Sequence, residues 1–313
     1  MHVPVLLDRC VELLAPALQD NGAIMVDATV GLGGHAEAFL TRLPEIKLIG
    51  VDRDPEALTL SAARLEPFHD RVQLIQGVHE ELGDLLNDLV DGGINAILFD
   101  LGVSSMQLDQ PERGFSYARN APLDMRMNPA DELTAAQIIN TYAPGDLVRI
   151  LRQYGEEKNA KRVVEAIVKE RTRAPITTTG QLTQLISDAI PSPARRTGGN
   201  PAKRTFQALR IETNRELQGL PAGLDAAIGG LAVGGRIAVM SYHSLEDRIV
   251  KRRLVSETRI TSPVRLPVIP AGARPSLRLL TRGAEVPSPE EIGSNPRAAS
   301  ARLRAAERLR EAA

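Results

Sequence analysis

Three groups of residues in the first hundred positions could do chemistry together. Gly31, Gly33 and Gly34 lie in Val26-Asp27-Ala28-Thr29-Val30-Gly31-Leu32-Gly33-Gly34-His35, where an apolar strand runs into a turn and then a helix. Glycines there can take φ > 0 and bring bare backbone N–H groups up to a ligand. Asp52 follows a second apolar run, Leu48–Val51, and is placed to accept the hydroxyls of a ribose, because Asp54 is available to cap the next helix. Asp100 ends the apolar run Ile97-Leu98-Phe99 and is followed by Leu101-Gly102-Val103-Ser104-Ser105, so its carboxylate faces the crevice beyond a sheet rather than a core. The string from Gly31 to Ala36 fits G-x-G-x-x-G/A with an acid about 20 residues on, a site for a nucleotide-like cofactor. Taken alone it leaves a dinucleotide and S-adenosylmethionine equally open.

Other residues have plainer explanations. Asp27 and Thr29 flank the first turn at a spacing that suits Asx-type bonds to the backbone. His35 and His79 each follow an expected strand, a position that by itself says little. In Ser241-Tyr242-His243-Ser244-Leu245-Glu246-Asp247-Arg248, Ser244 and Asp247 form a loose capping box, and the absence of G-x-S-x-G argues against a serine hydrolase. The helix that follows carries Arg248, Lys251, Arg252 and Arg253, either a solvated face or a phosphate contact. Arg195-Arg196 and Lys203-Arg204 frame the loop Gly198-Gly199-Asn200-Pro201, a pattern suited to a nucleic-acid backbone. Aromatic residues make up only 3% of the chain, which argues against a broad base-stacking platform.

The elements that must position these residues alternate between strand and helix. Strands are expected at 23–28, 47–52, 72–76 and 95–101, with helices at 36–43, 55–65 and 80–90 between them. That is an α/β parallel sheet with right-handed crossovers. After Leu101 about a hundred helical, polar and basic residues intervene. A helix at 217–228, a Gly234-Gly235 turn and a strand at 236–242 then resume the sheet. The expected division is a discontinuous sheet domain, 1–108 and 207–313, and an inserted helical domain, 109–206, leaving from the edge where ligands bind. The proline-rich segment 259–275 reads as a loop, and propensity makes 298–313 a helix.

Composition narrows the classes. The 313 residues are 43% hydrophobic, enough for a substantial core. No apolar run approaches a membrane span and the start lacks a signal-peptide pattern, so no membrane association and a cytoplasmic location are expected. One cysteine excludes an internal disulfide, and the five histidines show no metal-ligand spacing, so no metal is expected. The net charge of −1 hides an asymmetry: residues 1–100 hold 6 Lys/Arg and 17 Asp/Glu, the remainder 32 and 22. The basic part is as compatible with polyanion binding as with a solvated surface.

An ordered set of strings resembles one family. Asp27-Ala28-Thr29-x-Gly31-x-Gly33-Gly34-His35, Asp52-Arg53-Asp54-Pro55, Asp100-Leu101-Gly102-Val103-Ser104-Ser105-x-Gln107-Leu108-Asp109, Arg113-Gly114-Phe115-Ser116, Pro122-Leu123-Asp124-Met125-Arg126-Met127 and His243-Ser244-Leu245-Glu246-Asp247-Arg248 are similar to those of the bacterial 16S rRNA cytosine-N4 methyltransferases, the RsmH or MraW type. The resemblance covers essentially the whole chain. It implies a class I S-adenosylmethionine-dependent, Rossmann-like sheet with a helical substrate-recognition insertion. The implied reaction is methyl transfer to N4 of a cytosine in the decoding region of 16S rRNA, the partner being that rRNA, within the small ribosomal subunit. Carried over by position, Gly33, Gly34, His35, Asp52, His79, Asp100 and Gln107 would bind the cofactor. For the chemistry of such a reaction, Asp100 is expected to fix either the methionine moiety or the N4 amino group, with Tyr242 or His243 approaching the base from the other side. Arg113, Asp124 and Arg126 would form a lip, and Arg195, Arg196, Lys203 and Arg204 would meet the RNA backbone. His79 stands where the family commonly has Phe, and Met106 where it has Pro. The resemblance also implies an antiparallel final strand near 300–309, against propensity. Two other functions fit the same fingerprint, an NAD-dependent oxidoreductase and a noncatalytic, cofactor-binding ribosome assembly factor. The first would need a substrate acid/base pair and a nicotinamide pocket, neither of which has a signature here.

Overall fold

The structure is a computed structural model that describes residues 4–90, 92–191, 200–260 and 274–310. The chain divides into two compact units, 1–102 with 217–313 and 103–216.

The first unit is built on seven strands, β1 (Ile24–Asp27), β2 (Lys47–Asp52), β3 (Val72–Gln76), β4 (Ile94–Asp100), β5 (Leu231–Ser241), β6 (Leu277–Leu279) and β7 (Arg302–Arg308). They lie in the order β3-β2-β1-β4-β5-β7-β6. The first five are parallel, and β7 pairs antiparallel with both β5 and β6. Helices α1 (Leu7–Leu14), α2 (Gly34–Arg42), α3 (Pro55–Leu65), α4 (Leu82–Leu89), α11 (Glu216–Gly230), α12 (Ser244–Ser256) and α13 (Pro289–Ser294) accompany the sheet. Alternate strand residues feed two cores. Met25, Leu48, Leu98 and Met240 pack with Leu14, Phe39 and Leu40, whereas Val26, Ile49, Ile97 and Val239 pack with Leu86, Leu224 and Val250. A sheet buried on both faces explains why its central strands read as continuous apolar runs.

Two expectations fail here. Residues 302–308 are a strand and not part of a helix, because Leu303 and Ala305 complete one core and Ala306 the other. Burial on two faces outweighs helix propensity, and the strand falls within the span that the resemblance implies. Gly234-Gly235 is not a turn between elements. β5 continues through it, and the register jumps from Ile94↔Leu231 to Ala96↔Arg236, a bulge in which Gly234 takes φ 84°.

The second unit contains α5 (Ser105–Asp109), α6 (Ala135–Thr141), α7 (Pro144–Gln153), α8 (Ala160–Arg171), α9 (Thr179–Ala189) and α10 (Lys203–Asn214). Ile138, Leu147, Ile150, Val164, Ile167, Leu182, Ile186 and Leu209 are fully or almost fully buried. Three of its helices begin with the same device. Ser104/Gln107, Thr134/Gln137 and Thr178/Gln181 are reciprocal capping boxes at α5, α6 and α9. Arg195, Arg196 and the Gly198-Gly199 pair lie outside the described residues, as does most of 259–275. No helix among the described residues is long and apolar enough to cross a membrane.

Candidate active site

Three adjacent strands, β2, β1 and β4, each end in an aspartate, Asp52, Asp27 and Asp100. In a parallel sheet this puts three carboxylates along one edge, where the crossover turns also begin. The turn after β1 is closed by Gly33 N–H donating to Val30 O at 2.8 Å, with Gly31 at φ 52° and Gly33 at φ 75°. Gly34 is needed for a different reason. It takes no positive φ, but a Cβ there would lie 2.6 Å from Pro4 Cγ. Arg64 on α3 secures the turn by donating to Leu32 O at 3.0 Å.

Asp52 holds the turn from below. Its two oxygens accept N–H groups from Gly31 (2.8 Å) and Asp54 (2.9 Å), and Asp54 in turn caps α3. Burial pushes the Asp52 pKa above the ordinary range, against the pull of those two bonds. Asp27 accepts the Thr29 N–H at 3.2 Å, and the Thr29 hydroxyl accepts the Asp100 N–H at 2.6 Å. Fully buried and facing two other carboxylates, Asp27 is pushed up to about 7.

Asp100 accepts the Tyr242 hydroxyl at 2.7 Å, on Oδ1. Burial and the Asp100 charge push the Tyr242 pKa well up, so the phenol stays protonated and acts as a donor. On the other side, Oδ2 lies 3.7 Å from His35 Nδ1. His35 Nε2 is 3.1 Å from Val5 O, and since a carbonyl only accepts, Nε2 carries the proton. Burial holds the His35 pKa below its ordinary value, which leaves Nδ1 as a lone-pair acceptor beside Asp100.

His79 opens the short 3₁₀ turn after β3. Its ring meets Phe99 edge-on at 5.6 Å and 64°, and burial, with Arg53 nearby, lowers its pKa to about 4. Beneath it α11 presents two glycines that sequence reading passed over. A Cβ on Gly223 would be 2.9 Å from His79 Cβ, and one on Gly219 would be 2.0 Å from the Glu80 carboxylate. Their signal was the Gly-x-x-x-Gly spacing inside a helix that has no other reason to tolerate it.

The remaining expected residues are placed as follows. His243 caps α12, its Nδ1 accepting Glu246 N–H at 3.4 Å. Its Nε2 is buried 3.1 Å from Glu246 Oε1, in poor hydrogen-bond direction. Glu246 also accepts the N–H groups of Tyr242 (2.8 Å) and His243 (3.2 Å). The helix therefore starts one residue earlier than the Ser244/Asp247 pairing suggests, and the partner is the usual Glu. In the second unit the Gln107 side-chain oxygen accepts Ser104 N–H at 3.1 Å as part of the α5 cap. Arg113 is buried and donates to Arg126 O and Met127 O at 3.2 and 2.7 Å. Asp124 and Arg126 form a bidentate pair at 2.8 and 2.7 Å, and Arg126 also donates to Pro129 O and Asp131 O. Lys203 and Arg204 are exposed at the start of α10.

The donor set of the first unit suits a particular ligand chemistry. Three carboxylates and a neutral acceptor histidine favour a ligand that brings positive charge, such as a sulfonium and an ammonium, over one that brings a pyrophosphate. Each Asp52 oxygen keeps a lone pair beyond its backbone bond, as a ribose diol requires. Together with the strand order and the antiparallel β7, this site defines a class I S-adenosylmethionine-dependent methyltransferase. More particularly, the chain belongs to the MraW methylase family, whose model matches residues 1–309. It is 58% identical over 310 residues to the ribosomal RNA small subunit methyltransferase H of Streptomyces avermitilis, covering 99% of this chain and 98% of that one. It is 57% identical over 312 residues to the protein of the same name from a Nocardioides strain, covering 100% and 98% of the two chains.

Proposed function

We propose that this chain transfers the methyl group of S-adenosylmethionine to the exocyclic N4 of a cytosine in the decoding region of 16S rRNA, acting in the cytoplasm on the small ribosomal subunit. The observation that carries this reading is the run of three aspartates at adjacent strand ends, in a chain 57–58% identical to proteins named for small-subunit rRNA methylation. The same run argues against an NAD-dependent oxidoreductase, because an anionic pyrophosphate would sit among like charges.

In this reading Asp52 accepts the ribose hydroxyls, the backbone of Gly33 and Gly34 and the side chain of His35 line the cofactor, and neutral His79 lies against the adenine. Gln107 is carried over from the family resemblance. S-adenosylmethionine supplies, when bound, an electrophilic methyl on a sulfonium. Cytosine N4 is a poor nucleophile because its lone pair is conjugated with the ring, so the chain must hold it in line and accept its hydrogen bonds as it pyramidalises. Asp100 is suited to that task. Tyr242 fixes one of its oxygens as a donor and cannot serve as a base. The N4 proton leaves to water after the N–C bond forms, so no strong general base is required. His243 orients the start of α12 and bears on the site through Tyr242, its neighbour. The helical unit carries the RNA, with Lys203, Arg204, Arg195 and Arg196 on phosphates and the Arg113, Asp124 and Arg126 loop as its rigid lip.

Incubation of labelled S-adenosylmethionine with undermethylated small subunits, followed by nucleoside mass analysis, tests this. N4-methylcytidine is the expected product. Its absence where the cofactor binds would leave a noncatalytic assembly factor, and unchanged turnover in Asp100→Ala would remove Asp100 from the mechanism.

A further inference from the structure

We propose that the outward face of α12 is a second landing surface for the phosphate backbone of the RNA substrate, carried by the methyltransferase unit itself, with Lys251 and Arg252 as its contacts and Arg248 beside them. The proposal rests on the RNA substrate put forward above.

At about 100° per residue, the buried residues of α12, Glu246, Val250 and Leu254, lie within roughly 80° of one another. Arg248 and Arg252 fall on the opposite side, Lys251 on the flank next to them, and all three are exposed. The acids of this helix are withdrawn from that face. Glu246 is buried under the His243 cap, and Asp247 is held by Arg304 through two bonds of 2.7 and 3.1 Å. The inward cation, Arg253, has its own counterions in Asp225 and Glu257. Among the described residues no carboxylate pairs with Lys251 or Arg252.

A solvated face does not explain this distribution well. Complementing the helix dipole accounts only for Arg253, the basic residue of the last turn. The surroundings sharpen the contrast, since residues 1–100 hold 17 acids against 6 bases and would repel a polyanion. α12 also begins two residues after Tyr242, at the strand ends that carry Asp100, so its cations lie about 6–12 Å along the helix from that edge. A strand whose target base reaches the carboxylates has this face beside it for its flanking phosphates.

The test is the salt dependence of binding of the full-length chain to undermethylated small subunits. Removal of two phosphate contacts in the Lys251→Ala/Arg252→Ala double variant should reduce the slope of log K against log salt by about 1.4–1.8, with affinity at low salt down roughly tenfold or more. S-adenosylmethionine affinity and melting temperature should be unchanged, and Lys251→Arg/Arg252→Lys should restore the slope. Lys47→Ala, which removes an exposed cation at the far end of β2, should leave it unaltered. A double variant with the wild-type slope, or a Lys47→Ala variant with an equal loss, would overturn the surface while leaving the methyltransferase reading intact. A wild type that neither binds nor methylates the subunits would overturn both.

Discussion

Asp52 at the end of β2 and Asp124 in the loop of the helical unit make the same local bond, each accepting the N–H two residues on, from Asp54 and Arg126. They differ in everything else. Asp124 also grips the Arg126 guanidinium with both oxygens, and although burial works to raise its pKa, those bonds and that charge hold it below the ordinary value. Asp52 has two backbone N–H groups, and burial wins, raising its pKa. A carboxylate satisfied by a guanidinium is finished as structure. One held only by backbone amides in a buried site still seeks donors, which is the condition of a ligand acceptor.

The widest separation between the two should come from truncating each. Asp52→Ala is expected to weaken S-adenosylmethionine binding about 100-fold by calorimetry, since charged acceptors of a diol contribute roughly 1.5–3 kcal/mol. Asp124→Ala should cost about 1–2 kcal/mol in urea denaturation and leave cofactor affinity within about twofold. Equal losses of affinity in the two variants would erase the distinction. Next in size is Gly223→Ala, which must displace His79 and is expected to weaken the cofactor about tenfold, or 1.4 kcal/mol. An unchanged affinity would remove His79 from the adenine site.

Titration sharpens the comparison through its sign. Asp27, raised to about 7, binds its proton more tightly in the folded chain than in the unfolded one. Its contribution is therefore complete below about pH 4 and is lost as the pH rises to 7, by up to about 1.4 kcal/mol per pH unit. Asp124, lowered, contributes above its unfolded value and loses that contribution as the pH falls through its folded one. Stability profiles of Asp27→Asn and Asp124→Asn against wild type should differ with opposite slopes. The smallest effect is expected of Tyr242→Phe, about a threefold fall in kcat, roughly 0.6 kcal/mol, from loss of one donor to Asp100.

How much of this was legible depended on whether a signal was local. β2, β3 and α3 have the expected bounds, because Asp54-Pro55 and the apolar runs are complete within a few residues. The carboxylates at strand ends could be read for the same reason. What escaped depends on distant partners. Arg302–Arg308 is a strand only because two cores receive its alternate side chains. Gly34 answers to Pro4, thirty positions away, and Gly219 and Gly223 answer to Glu80 and His79. The His243 cap was hidden by an imidazole doing what a hydroxyl usually does. Arg113 looks in sequence like a free cation, yet it is buried against two carbonyls.

The position of β7 also sets a clock on folding. A chain made from its amino end exposes the open edge of β5 as soon as residue 241 has emerged, and the strand that covers that edge arrives about 60 residues later. At roughly 5–20 residues per second this is an interval of several seconds in which Arg236–Ser241 offers unpaired backbone groups. β6, made before β7, has only β7 to pair with and cannot shield β5 in the meantime. The sheet is thus closed from the inside by a late strand, and its most aggregation-prone moment falls just before that strand docks.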